Sequence, residues 1–217
     1  MPDFAALREA MVELQLRRRG IGDRRILDAF RSVPRELFVP APQASLAYGD
    51  HPLPIEAGQT ISQPYIVALM IQAAAIGPDE KVLEVGAGSG YAAAVIGRIA
   101  REVVAIERHG ELARLASARL SRFGFDNVQV IEADGTCGWP GGAPYDAILA
   151  AASGSHVPRA LVDQLGLGGR IVMPLGEPGS IQALVKVTRG AAGDLVTEDL
   201  GAVRFVPLVG EAGWDEG

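Results

Sequence analysis

Lys-Val-Leu-Glu-Val-Gly-Ala-Gly-Ser-Gly, residues Lys81–Gly90, decides how the rest of the chain is read. Val82, Leu83 and Val85 form a short apolar run of the kind that a strand buried on both faces requires. Gly86, Gly88 and Gly90 then let the backbone turn sharply and let a ligand approach with no Cβ in the way. A helical pattern, Tyr91–Ala100, follows at once. A strand, a glycine turn and a helix open a nucleotide-binding α/β unit. A second apolar run, Val103–Ile106, ends on Glu107, about one strand–helix–strand step after the glycines. An acid placed there can accept from both ribose hydroxyls of a bound nucleoside.

The spacing of the glycines bears on which nucleoside. A dinucleotide turn needs its third glycine five positions after the first, for helix packing and pyrophosphate capture. Here that position is Tyr91, and the third glycine comes one residue early, at Gly90. Glu84, just before the turn, would also repel a pyrophosphate. A dehydrogenase is therefore disfavoured, and the short turn suits a ligand without phosphates, such as S-adenosylmethionine.

Outward from this unit, strand-like and helix-like segments alternate. Glu111–Phe123 reads as a helix, Val128–Ile131 and Tyr145–Ala150 as strands, and Val157–Leu165 as a short helix opened by Pro158. Arg170–Met173, Ile181–Thr188 and Ala202–Val206 read as further strands, the second of them antiparallel. The alternation predicts an α/β fold with a doubly wound, mostly parallel sheet and ligand at the carboxyl ends of its strands. Toward the N-terminus, Phe4, Leu7, Met11 and Leu14 recur at helical spacing, and Asp23 can cap a second helix carrying Ile26, Leu27 and Phe30. Val33–Gln63, with Pro34, Pro40, Pro42, Pro52 and Pro54, is expected to be irregular. So long a loop is uncommon in a compact domain unless it covers a site. Glu211–Gly217 is expected to fray.

The bounds agree with a cytoplasmic enzyme. The chain has 217 residues, 48% of them hydrophobic, and no apolar run long enough to span a bilayer. Arg17, Arg18 and Arg19 are not followed by the apolar stretch of a signal peptide. A net charge of −6 opposes binding to a nucleic-acid backbone. Cys137 is the sole cysteine, so no intrachain disulfide is possible, and no histidine lies near it in sequence to activate it. His51, His109 and His156 lack ligand spacing, and no metal is expected.

Several further stretches carry a family resemblance. They are Ser-Val-Pro-Arg-Glu-Leu-Phe-Val-Pro (Ser32–Pro40), Ala-Tyr-Gly-Asp (Ala47–Asp50), Gly-Gln-Thr-Ile-Ser-Gln-Pro (Gly58–Pro64) and the glycine turn through Tyr91. With them go Ala-Ile-Glu-Arg (Ala105–Arg108), Ala-Pro-Tyr-Asp-Ala-Ile (Ala143–Ile148), Gly-Gly-Arg-Ile-Val-Met-Pro (ending at Pro174) and Val-Arg-Phe-Val-Pro-Leu (Val203–Leu208). Over Leu7 to about Leu208 the chain resembles the protein-L-isoaspartate O-methyltransferases. The resemblance implies one Rossmann-like methyltransferase domain over residues 1–217. Residues 1–63 would be N-terminal helices and an active-site loop, 64–209 the core and C-terminal strands, and 210–217 a tail.

It also implies methyl transfer from S-adenosylmethionine to the α-carboxylate of L-isoaspartyl residues in damaged proteins, by a monomer that needs neither nucleic acid nor membrane. The matching serine, Ser62, is the family's active-site residue. Gln59, Thr60, Ile61 and Ser62 would border cofactor and substrate. Glu84, Gly86, Gly88 and Gly90 would lie along the methionine part, Glu107 at the ribose, and Asp134 and Gly135 at the adenine. Tyr48, Asp50 and Val206 would fall on the substrate side. A carboxylate is ionised at neutral pH, so its methylation needs no general base, and no serine–histidine–acid set is expected.

Two departures stand out. Ala133 stands where the family usually has glycine, and Ala-Ala-Ser-Gly-Ser-His (Ala151–His156) replaces an alanine-rich run with proline. The second keeps open a carboxyl methyltransferase acting on another peptide carboxylate. A non-catalytic binder of the same fold is the further alternative, which the retained acids and Ser62 oppose.

Overall fold

A computed structural model describes residues 2–215 of the chain. Helix α1, Phe4–Ala10, starts on Asp3, whose carboxylate accepts from the Ala6 amide. It runs on into a π-helical turn, Met11–Leu16, and a 3₁₀ turn, Arg17–Arg19, which stops at left-handed Gly20. This corrects the expected stripe. Leu7 and Leu14 are 39% and 49% exposed, whereas Met11, Val12 and Leu16 are buried. An i→i+5 turn brings Met11 and Leu16 onto one face and rotates Leu14 off it. Helix α2, Arg24–Ser32, is capped by Asp23 as expected and buries Ile26, Leu27 and Phe30.

The segment expected to be irregular is more ordered than its prolines suggest. It holds 3₁₀ turns at Arg35–Phe38 and Ala41–Leu46 and a small hairpin, β1 (Leu53–Pro54) against β2 (Thr60–Ile61). Proline is tolerated there because the pair is only two residues long and lies outside the main sheet. Helix α3, Pro64–Ala74, follows with proline at its first turn.

The main sheet contains β3 (Lys81–Val85), β4 (Glu102–Glu107), β5 (Val128–Glu132), β6 (Tyr145–Ala150), β7 (Leu165–Leu175), β8 (Gln182–Arg189) and β9 (Leu195–Val203). Their order is β5-β4-β3-β6-β7-β8-β9. The strands from β5 to β7 are parallel, and β8 and β9 continue the sheet antiparallel. Helices α4 (Tyr91–Gly97), α5 (Gly110–Arg122) and α6 (Arg159–Asp163) complete the crossovers. The doubly wound, mostly parallel reading holds, with two corrections. Strand β7 starts at Leu165, so α6 is shorter than Val157–Leu165. The last strand is Leu195–Val203, not Ala202–Val206, and Val206 lies beyond it.

Both faces of the central strands are buried. Val82, Val103, Ala105, Ala147 and Leu149 pack on one side, and Leu83, Val104, Ile106 and Ile148 on the other. That alternation within continuous apolar runs is what burial on both faces demands. Glu84 therefore shares the face of Val82, inside the protein. The tail is not frayed as far as it is described. Val209 pairs with Trp214, and the Trp214 indole donates to the Ser153 carbonyl at 2.8 Å. Glu216 and Gly217, the end of the expected frayed stretch, lie outside the described residues.

Candidate active site

The parallel strands end on a cavity of about 870 Å³. Its floor is the glycine turn after β3. The amides of Gly86 and Ala87 both donate to the Ile106 carbonyl, at 2.8 and 2.9 Å, which locks the turn against β4. Gly86 and Gly88 line the cavity, but Gly90 does not. A Cβ on Gly90, at φ +86°, would sit 3.1 Å from the Ala116 Cβ of α5. The third glycine is therefore a helix-packing residue, a correction to its expected place beside the ligand.

Two acids face the floor. Glu107 caps the turn: its carboxylate accepts from the Gly88 amide at 2.8 Å and from the His109 amide at 2.9 Å. Glu84 is only 2% exposed, and its Oε2 has no hydrogen-bond partner. Burial, and then the charge of Glu107, pushes its carboxyl up to about 8. A buried carboxyl with an unused oxygen, at the wall of an 870 Å³ cavity, fits a cationic ligand that would let it ionise. The residues present thus fit S-adenosylmethionine, which carries an ammonium and a sulfonium.

The opposite wall comes from the hairpin and from the chain after β9. Gln59, Thr60, Ile61 and Ser62 line the cavity, and so does Val206. Among the described residues the Ser62 hydroxyl has no hydrogen-bond partner, so it is available to a ligand. Gly135 also lines the cavity, where a Cβ would meet Val85 Cγ1 at 2.4 Å. Only glycine allows β3 and the turn after β5 to come so close.

Three more of the expected site residues lie elsewhere. Tyr48 is buried under the N-terminal helices, with its hydroxyl donating to Glu36 and its carbonyl accepting from Gln15. Asp50 pairs with Arg19 at 2.6 Å. Its carbonyl accepts from Gln63, next to Ser62, so it supports the loop without facing the cavity. Asp134 lines a neighbouring recess of about 370 Å³ with Arg108 and Gly210. Its carboxylate accepts from the Thr136 amide and hydroxyl and from the Glu211 amide. Burial alone would raise its carboxyl; these donors outweigh it and hold it below the usual range.

Sequence reading put Val206 on the substrate side but not its neighbours: the whole strap Phe205–Val209 lines the cavity beyond β9. The available signal was Gln182, a buried amide at the start of β8, just before the apolar run Ala183–Val185. Among the described residues, no group of three or more histidine, cysteine, aspartate or glutamate side chains could hold a metal ion.

A family model described as protein-L-isoaspartate(D-aspartate) O-methyltransferase matches residues 6–213. The protein-L-isoaspartate O-methyltransferase 1 of Rhodopseudomonas palustris (strain HaA2) is 56% identical over 211 residues, covering 97% of this chain and 86% of the relative. A Pelobacter propionicus relative, protein-L-isoaspartate O-methyltransferase 2, is 53% identical over 207 residues, covering 95% of this chain and 92% of its own. Among solved structures, a protein-L-isoaspartate O-methyltransferase superposes with a TM-score of 0.85 at 30% identity, covering 95% of this chain and 67% of that one. A Plasmodium falciparum structure, described as a β-aspartate methyltransferase in complex with S-adenosyl-L-homocysteine, gives 0.80 at 26% identity, covering 93% and 98%.

Proposed function

The chain belongs to the protein-L-isoaspartate(D-aspartate) O-methyltransferase family, and from that premise we propose how its cavity works. It transfers a methyl group from S-adenosylmethionine to the α-carboxylate of L-isoaspartyl residues in damaged proteins and peptides. The bound cofactor supplies an electrophilic methyl group on a sulfonium. Gly86 and Gly88 let it approach the backbone closely. Glu107 spends one lone pair of each oxygen on the Gly88 and His109 amides and keeps others for ribose hydroxyls. Glu84 balances positive charge from inside the protein. Gly135 shapes the adenine side, with Asp134 holding the tail of the chain against it.

On the other wall, Ser62 donates its hydroxyl to the substrate carboxylate and sets its direction. It is a positioning donor rather than a covalent nucleophile, since the nucleophile arrives already charged. Gln59, Thr60 and Ile61 of the hairpin and Val206 of the strap enclose the reacting groups and limit water. Alignment of oxygen, methyl and sulfur is the main service the protein supplies. Action by a monomer in the cytoplasm, away from nucleic acid and membranes, is part of the same reading. The net charge of −6 supports it, and among the described residues no helix is long and apolar enough to cross a membrane.

The observation that carries this reading is the unpartnered Ser62 hydroxyl sharing one cavity with the glycine turn and Glu107. Its test is methyl transfer from labelled S-adenosylmethionine to an isoaspartyl peptide and to its ordinary aspartyl twin. Only the isoaspartyl form should be labelled. Equal labelling of both, or of neither, overturns the assignment.

A further inference from the structure

The cavity wall formed by Phe205–Leu208 is not part of any strand, yet it is tied down by the Gln182 side chain and by the backbone of Ser153, whose hydroxyl in turn meets the Gln182 amide. The β8–β9 ladder ends at the pair Gln182–Val203. Beyond it the Gln182 side chain takes over. It is 2% exposed. Its Oε1 accepts from the Phe205 amide at 2.7 Å, and its Nε2 donates to the Phe205 carbonyl at 3.1 Å. A primary amide thus pairs with one residue's N–H and C=O as a neighbouring strand would.

The same Nε2 lies 3.1 Å from the Ser153 hydroxyl and 3.4 Å from the Glu177 carbonyl. Ser153, also buried, works on the other side of the strap. Its amide donates to the Val206 carbonyl at 2.8 Å, and its carbonyl accepts from the Leu208 amide at 2.8 Å. Neither Gln182 nor Ser153 lines the cavity. Both act only through the strap.

The strap leaves β9 and crosses back to meet Ser153 just beyond β6, where it lines the same cavity as Ser62. Val206, within it, is the residue that the family resemblance puts on the substrate side. Resting on the function proposed above, we infer that Gln182 and Ser153 are positioning residues for the isoaspartyl peptide. They set the place of Phe205, Val206 and Pro207 relative to Ser62. Losing either loosens the peptide wall and leaves the cofactor floor intact. This also gives a reason for serine in the stretch Ala151–His156, where the chain departs from its family.

The test compares Gln182→Met, Ser153→Ala and Ser153→Thr with the unaltered chain. Steady-state KM is measured for an isoaspartyl peptide, and Kd for S-adenosyl-L-homocysteine by calorimetry on the same preparations. Gln182→Met should raise the peptide KM about tenfold and Ser153→Ala about threefold, as loss of buried hydrogen bonds predicts. Ser153→Thr keeps the hydroxyl and should restore the original KM. The Kd should stay within about twofold throughout, which a general loss of folding would not produce. Hydrogen exchange should show the Phe205 amide losing protection in Gln182→Met. If that variant does not fold, the alanine and threonine pair at Ser153 carries the test alone.

An unchanged peptide KM with an unchanged Phe205 exchange rate overturns the inference, as does a cofactor Kd that rises in step with KM. Failure of the unaltered chain to label the isoaspartyl peptide would instead sink the proposed reaction. The exchange measurement at Phe205 would still report on the clamp.

Discussion

The two ends of the parallel sheet use the same kinds of side chain to opposite effect. At the amino ends, polar groups are spent on the fold. Arg170 donates to both oxygens of Glu80 and to the carbonyls of Ala74, Ala75 and Asp146. Asn127 holds the carbonyls of Gly97 and Ala100, which close α4, and Asp146 accepts from the Lys81 amide. At the carboxyl ends, Glu84 keeps an unpaired oxygen, and the Ser62 hydroxyl lines the cavity with no partner among the described residues. One end is finished by the protein itself, and the other waits to be finished by what it binds. In this sheet, unspent hydrogen-bonding capacity marks the chemistry better than the presence of charge.

Substitutions at the two ends should therefore fail in different ways. The largest effect is expected from Arg170→Met. It strands Glu80 and three carbonyls, and breaking a buried pair of this kind costs about 3–5 kcal/mol. Denaturant unfolding should show that loss, while kcat per folded molecule stays as it was. A change in kcat with stability intact would erase the distinction between the ends. Ser62→Ala should do the reverse. Turnover should fall about 100-fold, the scale of a misplaced reacting group, with thermal stability and cofactor affinity nearly unchanged. Weakened cofactor binding with normal turnover at saturation would reassign Ser62 to the floor.

The smallest effect, taken per pH unit, concerns Glu84 and sharpens the comparison through pH. Its folded-state value, about 8, lies above the ordinary 4.5. Without added cofactor, the folded chain keeps a proton that the unfolded chain releases. This contribution to stability is fully present below about pH 4.5 and is lost as pH rises through about 8, at ~1.4 kcal/mol per pH unit. Chemical unfolding at a series of pH values between these limits should show the slope. Glu84→Gln should flatten it. A slope that survives the substitution would place the titration on another group.

Much of the fold could be read from the sequence because parallel strands buried on both faces write themselves as unbroken apolar runs, as at Val103–Ile106. The turn at Gly86 and Gly88 and Glu107 at the next strand end were legible for similarly local reasons, whereas Ser62 stood out only through the family resemblance. What was not legible depends on contacts distant in sequence. The role of Gly90 is set by Ala116, and that of Asp134 by the amide of Glu211. Tyr48, which the resemblance puts on the substrate side, has its polar groups taken up by Glu36 and Gln15. Strand β9 was misplaced because it is an exposed outer strand, with no alternation of apolar residues to announce it. The π turn at Met11–Leu16 kept helical composition while changing the period, which a fixed 3.6-residue template cannot register.

That outer strand bears on how the protein lives with its clients. β9 has a partner strand, β8, on one side only, and an open strand edge invites pairing with any extended chain nearby. Proteins awaiting repair are aged and partly unravelled, which makes them the company most apt to accept. Glu198 and Asp199 put negative charge along this margin, and Gly201, at φ +112°, bends the backbone out of a straight template. The margin is thereby made a poor seed for pairing with an extended chain.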